Sequence, residues 1–510
     1  MDKRQRRRLH TERGTNILSS IRRLAKTVNF KTIYKIIGSL LFLEAFLLLA
    51  CIGVTYLYRE EDALSFTLSA LACAFFGLIM RYMGRDSDNT LSRRDTYLVV
   101  TITWVVFSVF GTLPFIIGGY INNITDALFE SMSGFTTTGA SIIDDVEALP
   151  HGIIFWRSLT QWIGGLGIIF FTVALLPSLI GGSVKVFAAE ATGPLKTKLH
   201  PRLSTNSKWI CGVYTVITLA CFGCLWAAGM GLFDSMSFAM CTAPTGGFAP
   251  LNNSAGDLAP IILYILSFFC FTAGVSHALL YFSFSKLDFR RLVNNAEFSL
   301  YFLIVAVSTV FITVELIVFN GYGIERAFRS SLFQVVQFAS TTGLSSDDTS
   351  RWPHITWIVL AGCMILGGCA GSTSGGMKCF RGITVLKSIR NEFRQILHPA
   401  AVLPVKIDGT NVVPGKRLTI FAFISLYLLI VFIGSFAMIA LGVDKVNAIT
   451  LTLSCMANIG PTIGPEISNL SSCSALPVGV KWICMALMLL GRLEIFSVLV
   501  ILTPSFWKDN

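Results

Sequence analysis

The chain has 510 residues, of which 53% are hydrophobic and 14% are charged, and its formal net charge is +11. Soluble globular domains carry about 25% charged residues, so this composition excludes a soluble globular protein. Apolar stretches longer than the roughly 18 residues that span a bilayer core recur along the chain. The positive charge lies in short connecting segments, where membrane topology accounts for it without nucleic-acid binding.

Ten membrane spans are predicted, and in chain order they lie at residues 34–58, 63–83, 96–120, 153–180, 208–230, 260–284, 299–320, 354–396, 417–441 and 479–504. No small-residue cleavage pattern follows the first apolar stretch, so we expect it to be retained. Only the eighth span is expected to be broken, because it is too long and contains the glycine- and serine-rich stretch Gly367–Gly376. Most lysines and arginines lie on one side of this topology, which places both termini in the cytoplasm.

Four segments between spans are too short or too polar to cross the bilayer, and each ends in a loop with the pattern Thr-x-Gly. The loops are Thr136-Thr137-Thr138-Gly139, Pro244-Thr245-Gly246-Gly247, Ser340-Thr341-Thr342-Gly343 and Pro461-Thr462-Ile463-Gly464. A short apolar helix is predicted before each loop, at Asp126–Ser133, Leu232–Cys241, Glu325–Ala339 and Asp444–Ala457. The alternative is a set of helix-breaking turns, but four such loops on the same side of the membrane favour a repeated re-entrant element.

Irregular backbone at membrane depth is tolerated only where it is buried in protein or lines a watery cavity. Four loops that meet at one axis would stack rings of carbonyl oxygens, and such rings can replace the hydration shell of a potassium ion. Glycine permits the backbone conformations that this stacking needs. Each short helix would direct the partial negative charge of its C-terminus towards a cation. These sixteen loop residues are therefore predicted to form the ion-binding site.

The predicted fold class is an all-α polytopic membrane protein with four pseudo-symmetric span–pore-helix–filter–span repeats and an N-terminal two-span hairpin. The expected divisions are a basic cytoplasmic N-terminus at 1–33, the hairpin at 34–95 and pore repeats at 96–206, 207–297, 298–415 and 416–510. The third repeat contains the broken span.

The stretch Gly367–Gly376 is too rich in glycine and hydroxyl residues to form a stable helix interior. It is predicted to be a simple kink, a close helix contact or a flexible intramembrane loop. Lys378 follows it and lies either near the pathway or at the inner interface. Arg492 lies within the last span, where an arginine either is functional or forms a structural salt bridge with Glu494 or Glu315.

Three motifs resemble the TrkH type of the Trk/Ktr/HKT potassium transporter superfamily: Gly134–Ala140, Arg157–Gly165 and Gly367–Lys378. The resemblance covers about residues 96–510. It implies potassium as the transported ion and, from glycine in all four filters, a preference for potassium. It also implies that a loop below the filter obstructs the pore and moves on gating, which assigns gating to Gly371, Ser372, Thr373, Ser374, Gly375, Gly376, Lys378 and a pore-facing Arg492. Glu130, just before the first filter, is expected to bond to backbone behind the loop rather than to bind ions.

The inner loops contain no nucleotide-binding motif, so control is expected to come from another chain. The resemblance implies a homodimer on a cytosolic ring of the TrkA-type nucleotide-binding regulator, in the bacterial inner membrane, and the basic loops 185–208 and 378–417 are candidate docking surfaces. No catalytic motif, organic cofactor or nucleic-acid partner is predicted. Two alternatives stay open, namely a proton- or sodium-coupled carrier and a less selective potassium/sodium channel. A carrier with alternating access predicts inverted halves with several broken helices, whereas the sequence indicates only one.

Overall fold

The structure is a computed structural model, and it describes residues 28–87, 91–170, 203–285, 287–401, 403–464 and 470–508. Helices dominate this part of the chain. Together with a two-stranded hairpin, they are α1 (Phe30–Tyr58), α2 (Ala63–Met83), α3 (Arg93–Gly111), α4 (Leu113–Ile117), α5 (Ile124–Phe135), α6 (His151–Phe170), α7 (Leu203–Ala227), α8 (Leu232–Thr242), α9 (Pro260–Ala273), α10 (His277–Ser285), α11 (Arg290–Val293), α12 (Ala296–Asn320), α13 (Ile324–Ala339), α14 (His354–Leu366), α15 (Cys379–Leu397), β1 (Lys406–Ile407), β2 (Thr410–Asn411), α16 (Pro414–Ala440), α17 (Lys445–Ala457), α18 (Val478–Arg492) and α19 (Phe496–Leu502).

Six helices of the described chain are long and apolar enough to cross a bilayer, namely α1, α2, α3 with its extension α4, α7, α12 and α16. Two more spans are bent pairs, α9 with α10 at 101° and α18 with α19 at 115°. These helices confirm the predicted fold class of an all-α polytopic membrane protein.

The N-terminal hairpin α1–α2 is packed closely because small residues face each other. A Cβ atom added to Gly38 would lie 2.7 Å from the carbonyl oxygen of Gly77, so only glycine permits this approach. The start of α1 is tied to the first pore unit, because the backbone N–H of Asn29 donates to Asp95 at 2.9 Å. The hairpin therefore packs against the first repeat.

Each of the four repeats contains a long helix, a short re-entrant helix, a loop and a second helix. The short helices are α5, α8, α13 and α17, and they lie where the sequence predicts them, with ends that differ by a few residues. Asn123 caps α5 by accepting from the backbone of Thr125, and Asp444 caps α17 by accepting from Val446. Such side chains satisfy backbone N–H groups that have no partner inside the helix.

The apolar core forms two large clusters. One cluster joins the hairpin with the first and fourth repeats, and it includes Phe135 and Met488. The other joins the second and third repeats, and it includes Phe238 and Phe338. Each cluster thus packs neighbouring repeats together.

The expectation of a single broken span has to be corrected, because the second helix departs from helical geometry in every repeat. Gly167 interrupts α6 with φ 55°, and Gly274–Ser276 separate α9 from α10. Glu494 and Ile495 have φ 55° and 37° between α18 and α19. These breaks were not predicted from the sequence because they are only a few residues long and lie between apolar residues. The mean hydropathy therefore stays high across them.

Candidate functional site

The four loops that follow the re-entrant helices share one backbone conformation. In each loop, a residue other than glycine has a positive φ, and a glycine with positive φ follows two positions later. The first set is Thr137, Thr245, Thr341 and Asn458, with φ between 52° and 60°. The second set is Gly139, Gly247, Gly343 and Gly460, with φ between 78° and 90°.

Hydrogen bonds hold each loop against the end of its own short helix in the same way. The backbone N–H of the residue before the glycine donates to the carbonyl oxygen five positions earlier, at 2.9–3.0 Å. The pairs are Thr138 to Ser133, Gly246 to Cys241, Thr342 to Gln337 and Ile459 to Ser454. This repeated bond shows that the loops are structurally equivalent.

The glycines place the four loops in a closed ring. A Cβ atom on Gly139 would lie 2.1 Å from the carbonyl oxygen of Gly246, which belongs to the second loop. In the same way, a Cβ atom on Gly247 would lie 2.1 Å from the carbonyl oxygen of Thr342, and one on Gly343 would lie 1.9 Å from that of Ile459. A Cβ atom on Gly460 would lie 2.4 Å from the carbonyl oxygen of Thr138, in the first loop. No side chain fits at any of these positions. The loops therefore surround one axis, each touching the next.

The fourth loop differs in register from the sequence prediction. In the fourth repeat, the residues that match the first three loops in conformation are Ala457–Gly460. The predicted residues come after the ring, and they are Pro461, Thr462, Ile463 and Gly464. The pattern Thr-x-Gly misplaced this loop because Asn458 occupies the position of the threonine, and asparagine also tolerates a positive φ. Pro461 still contacts the ring, since its Cδ lies 2.7 Å from a Cβ built on Gly343.

Backbone carbonyl oxygens at the ring lack protein partners. Within the described chain, the carbonyls of 137–139, 341–343 and 458–460 accept no hydrogen bond. In the second loop, Pro244 accepts from the hydroxyl of Thr245 at 2.6 Å and Gly246 accepts from Gln161 Nε2 at 2.7 Å. Buried carbonyl groups normally have a partner, so this set is suited to water or a cation. Threonine hydroxyl groups add further oxygen atoms to the first loop. The Oγ1 atoms of Thr136 and Thr138 lie 2.8 Å apart.

A buried ion pair supports the first loop from behind. Glu130, on α5, accepts from Arg157 Nε at 2.8 Å and from the backbone N–H of Ile142 at 2.9 Å. The backbone contact confirms the expectation that Glu130 bonds behind the loop. Arg157 also donates to the carbonyl oxygen of Ala249 in the second repeat at 3.4 Å.

Buried amide side chains support the other loops, and the sequence analysis did not identify them. Gln161 accepts from the backbone of Phe248 at 3.0 Å, and Gln337 accepts from Leu344 at 3.2 Å. Asn458 donates to Thr138 Oγ1 at 3.0 Å and to the carbonyl of Met488 at 2.9 Å, which joins the fourth loop to the first. Their signal in the sequence is an amide side chain inside an otherwise apolar segment.

A cavity of about 160 Å³ lies against one face of the ring. The four ring glycines line it together with Pro461 and Thr462. Its wall includes Asp144 and Asn252, which come from the segments after the first and second loops.

The segment between α14 and α15 lies against the other face of the ring. Gly375 N donates to Thr341 Oγ1 at 2.6 Å, and Thr373 Oγ1 donates to the carbonyls of Ala243 at 3.0 Å and Ala273 at 3.3 Å. A Cβ on Gly375 would lie 2.0 Å from the carbonyl oxygen of Ala457. The segment thus contacts the second, third and fourth repeats directly beside their loops.

Other residues of this segment hold its shape. Gly371 accepts at 3.1 Å from the backbone N–H of His277, the first residue of α10, and Gly376 has φ 72°. The hydroxyl oxygens of Ser372 and Ser374 lie 2.7 Å apart. Lys378 Nζ donates to the carbonyl of Ser374, so the lysine folds back on the loop.

Arg492 connects the segment to the first repeat. Its guanidinium donates to the carbonyl of Thr373 at 3.1 Å and to that of Gly164 at 2.5 Å. Glu494, one of the two partners considered for a salt bridge, instead pairs with Arg381 at 2.5 Å. Arg492 therefore lies beside this segment and joins it to α6.

The family model described as TrkH, cation transport protein, matches residues 63–508. The chain belongs to this family. It is 34% identical to the Trk system potassium uptake protein TrkH of Escherichia coli (strain K12), over 94% of this chain and 100% of that protein. The TrkH protein of Halomonas elongata is also 34% identical, over the same shares of the two chains.

The solved structure of the potassium transporter TrkH from Vibrio parahaemolyticus superimposes with a TM-score of 0.85 and 31% identity, over 94% of this chain and 100% of that one. The resemblance to the TrkH type that the sequence motifs indicated is confirmed. The TrkH relatives are named as transporters, and the chain shares their fold over almost its full length.

Proposed function

We propose that this chain mediates potassium uptake across the cytoplasmic membrane, along the axis that the four loops surround. The closed ring of loops is the observation that carries the proposal, because it brings carbonyl oxygens without protein partners from all four repeats to one axis. The names of the TrkH relatives, as potassium uptake proteins, support potassium as the cargo.

Potassium is coordinated by the loops 136–139, 244–247 and 340–343 and, in the fourth repeat, by 457–460 rather than 461–464. Carbonyl oxygens replace the water of the ion, and the C-terminal ends of α5, α8, α13 and α17 add partial negative charge. The residues Pro461–Gly464 then belong to the approach to the ring, together with the cavity that Pro461 and Thr462 line.

The segment Gly371–Gly376 is the gate of this pathway. Its hydrogen bonds to Thr341, Ala243 and Ala273, beside the second and third loops, support this assignment. Arg492 stabilises the closed position by binding the carbonyl of Thr373, and its charge disfavours a cation below the ring. Lys378 contributes a second positive charge at the same place.

The protein works as a homodimer in the bacterial inner membrane, with both termini in the cytoplasm and a TrkA-type nucleotide-binding ring as its regulator. Most of the basic loop 185–208 lies outside the described residues. In the loop 378–417, the side chains of Lys387, Arg390 and Arg394 project from α15, and the last two are exposed. Such a surface suits a partner with negative charge.

A coupled carrier is the second candidate function. Breaks in the second helix of every repeat favour it, because discontinuous helices are typical of carriers with alternating access. The breaks recur with the fourfold repeat rather than in two inverted halves, and this pattern favours the gated pore as the first candidate.

Uptake of rubidium, an analogue of potassium, into liposomes that hold the purified protein tests the proposal. Sodium serves as the competitor, and no proton gradient is imposed. We expect flux down the rubidium gradient that a tenfold excess of sodium leaves nearly unchanged. Flux that requires a proton or sodium gradient would establish the carrier instead, and equal competition by sodium would establish a less selective channel.

A further inference from the structure

The short hairpin β1–β2, on the chain between α15 and α16, packs next to the loop that we assign as the gate. Its strands pair with Lys406 opposite Asn411, and the turn residues Asp408 and Gly409 both have positive φ, at 46° and 75°. Ile407 is buried in a small cluster that also contains Ala370, the residue just before the loop. The tip of the hairpin is exposed to solvent.

Asp408 fastens the hairpin to the start of α12. One carboxylate oxygen accepts from Asn295 Nδ2 at 2.8 Å, and the other accepts from the backbone N–H of Ala296 at 2.9 Å. Asn295 is itself the cap of α12, since its Oδ1 accepts from the backbone of Phe298 at 3.0 Å. A carboxylate is favourable at a helix N-terminus, so this contact is directional and charge-assisted.

Glu297, the next residue of α12, contacts the base of the loop. Its side chain is buried, and Oε1 accepts from the backbone N–H of Ala370 at 3.4 Å. Ala370 is the residue just before the loop, so this carboxylate connects α12 to the point where the loop begins.

We propose that the hairpin is a lever on the gate: Asp408 positions the start of α12, and Glu297 thereby holds Ala370, at the base of the loop Gly371–Gly376, in the obstructing position. This inference rests on the proposed function, because it assigns a control element to the same loop. Asp408 and Glu297 are positioning residues that act through the loop and touch no ion.

The chain of contacts is short. Asp408, in the exposed turn, is bonded to Ala296, and the next residue, Glu297, is bonded to Ala370, while Ile407 packs in the same cluster as Ala370. A cytosolic partner that displaces the hairpin tip must either break the bonds of Asp408 or move the start of α12. In both cases the contact between Glu297 and Ala370 at the base of the loop weakens, and the population of the open state rises.

Purified protein carrying Asp408→Ala tests the lever with two readouts. The first is hydrogen exchange of the backbone at residues 369–380, and the second is rubidium flux into liposomes. Asp288→Ala is the matched control, because it removes an exposed carboxylate whose partner among the described residues is Arg291, in the helix preceding α12. Asp408→Asn keeps one acceptor and serves as the milder variant should the alanine variant fold poorly.

We expect exchange at 369–380 to accelerate by at least about twofold, and flux to rise roughly fivefold, in Asp408→Ala, with a smaller effect in Asp408→Asn and none in Asp288→Ala. Glu297→Gln should reproduce the faster exchange. Unchanged exchange at the loop in a folded Asp408 variant would overturn the lever.

The failure of the lever is distinguishable from failure of the gate. A variant that lacks Ser372–Ser374 reports on the gate alone, because it removes the obstruction while leaving the hairpin intact. If this variant folds without increased flux, the gate assignment fails, and faster exchange in Asp408→Ala would still support the mechanical link. If it conducts more while Asp408→Ala changes neither readout, the gate stands and the lever is rejected.

Discussion

Arg157 and Glu130 form an ion pair inside the protein, directly behind the first loop of the ring. The distance from Arg157 Nε to Glu130 Oε1 is 2.8 Å, and the two side chains are 3% and 0% exposed. Arg157 also lies 4.3 Å from the ring centre of Phe248, in the segment after the second loop. The pair therefore links the supports of two neighbouring loops.

Glu130→Gln should destabilise the protein by about 3–5 kcal/mol, because it leaves the guanidinium buried without its counter-charge. The thermal midpoint in detergent measures this loss, and rubidium flux against sodium measures the effect on the ring. The double variant Glu130→Gln with Arg157→Met should recover part of the stability. Asp288→Asn, which breaks an exposed pair with Arg291, should cost at most about 1 kcal/mol. An equal loss of stability in Glu130→Gln and Asp288→Asn would contradict the role of the buried pair.

Gly139→Ser should raise the permeability of sodium relative to potassium. The position has φ 81°, and a Cβ there would lie 2.1 Å from the carbonyl oxygen of Gly246, so the side chain must displace a ring carbonyl. Sodium competition against rubidium uptake measures the change. Gly119→Ser is the control, since that glycine has φ 71° with nothing within 4 Å of its Cβ position. Unchanged selectivity in Gly139→Ser would speak against Gly139 as a filter residue.

Gly460→Ser and Gly464→Ser test the register of the fourth loop. A Cβ on Gly460 would lie 2.4 Å from the carbonyl oxygen of Thr138, so serine must distort the ring there. We expect lower selectivity in Gly460→Ser and a much smaller effect in Gly464→Ser, measured by the same sodium competition. The opposite order would restore Pro461–Gly464 as the fourth filter.

Thr373→Val should increase basal rubidium flux, because valine keeps the shape of threonine but loses the hydrogen bonds to the carbonyls of Ala243 and Ala273. The hydroxyl has one proton to share between the two carbonyls, so the lost interaction is worth about 1 kcal/mol and a rise of several-fold is expected. Thr272→Val removes a hydroxyl whose partner among the described residues is the carbonyl of Phe268, within α9, and it should leave flux unchanged. A Thr373 variant with normal flux would show that these bonds do not hold the loop closed.

Arg492→Gln should also raise the flux, and the increase should depend on charge. Glutamine still donates to a carbonyl oxygen, but it removes the positive charge beside Thr373 and Gly164. Flux through Arg492→Lys should stay near that of the unaltered protein if charge dominates. Equal increases in the glutamine and lysine variants would assign the effect to the bidentate geometry of arginine instead.

Three of the four loops and all four re-entrant helices could be predicted from the sequence, because the signals that mark them are local. Thr137, Thr245 and Thr341 precede their glycines at a constant spacing, and each lies after a short apolar helix. The fourth loop was displaced because Asn458 replaces the threonine there, while an unrelated Thr-x-Gly follows within six residues. A backbone conformation, rather than a residue type, defines the equivalence.

The sequence by itself determined that the chain crosses a membrane many times and carries a fourfold repeat with glycine-containing loops, since apolar length and local pattern are properties of short segments. Only the tertiary structure decided that the ring closes from Gly460 back to Thr138, and that Glu494 pairs with Arg381 while Arg492 binds the loop at Thr373. These contacts join residues more than 100 positions apart. Hydropathy and spacing do not distinguish between the possible partners of such residues, and the packing of whole helices decides which partners meet.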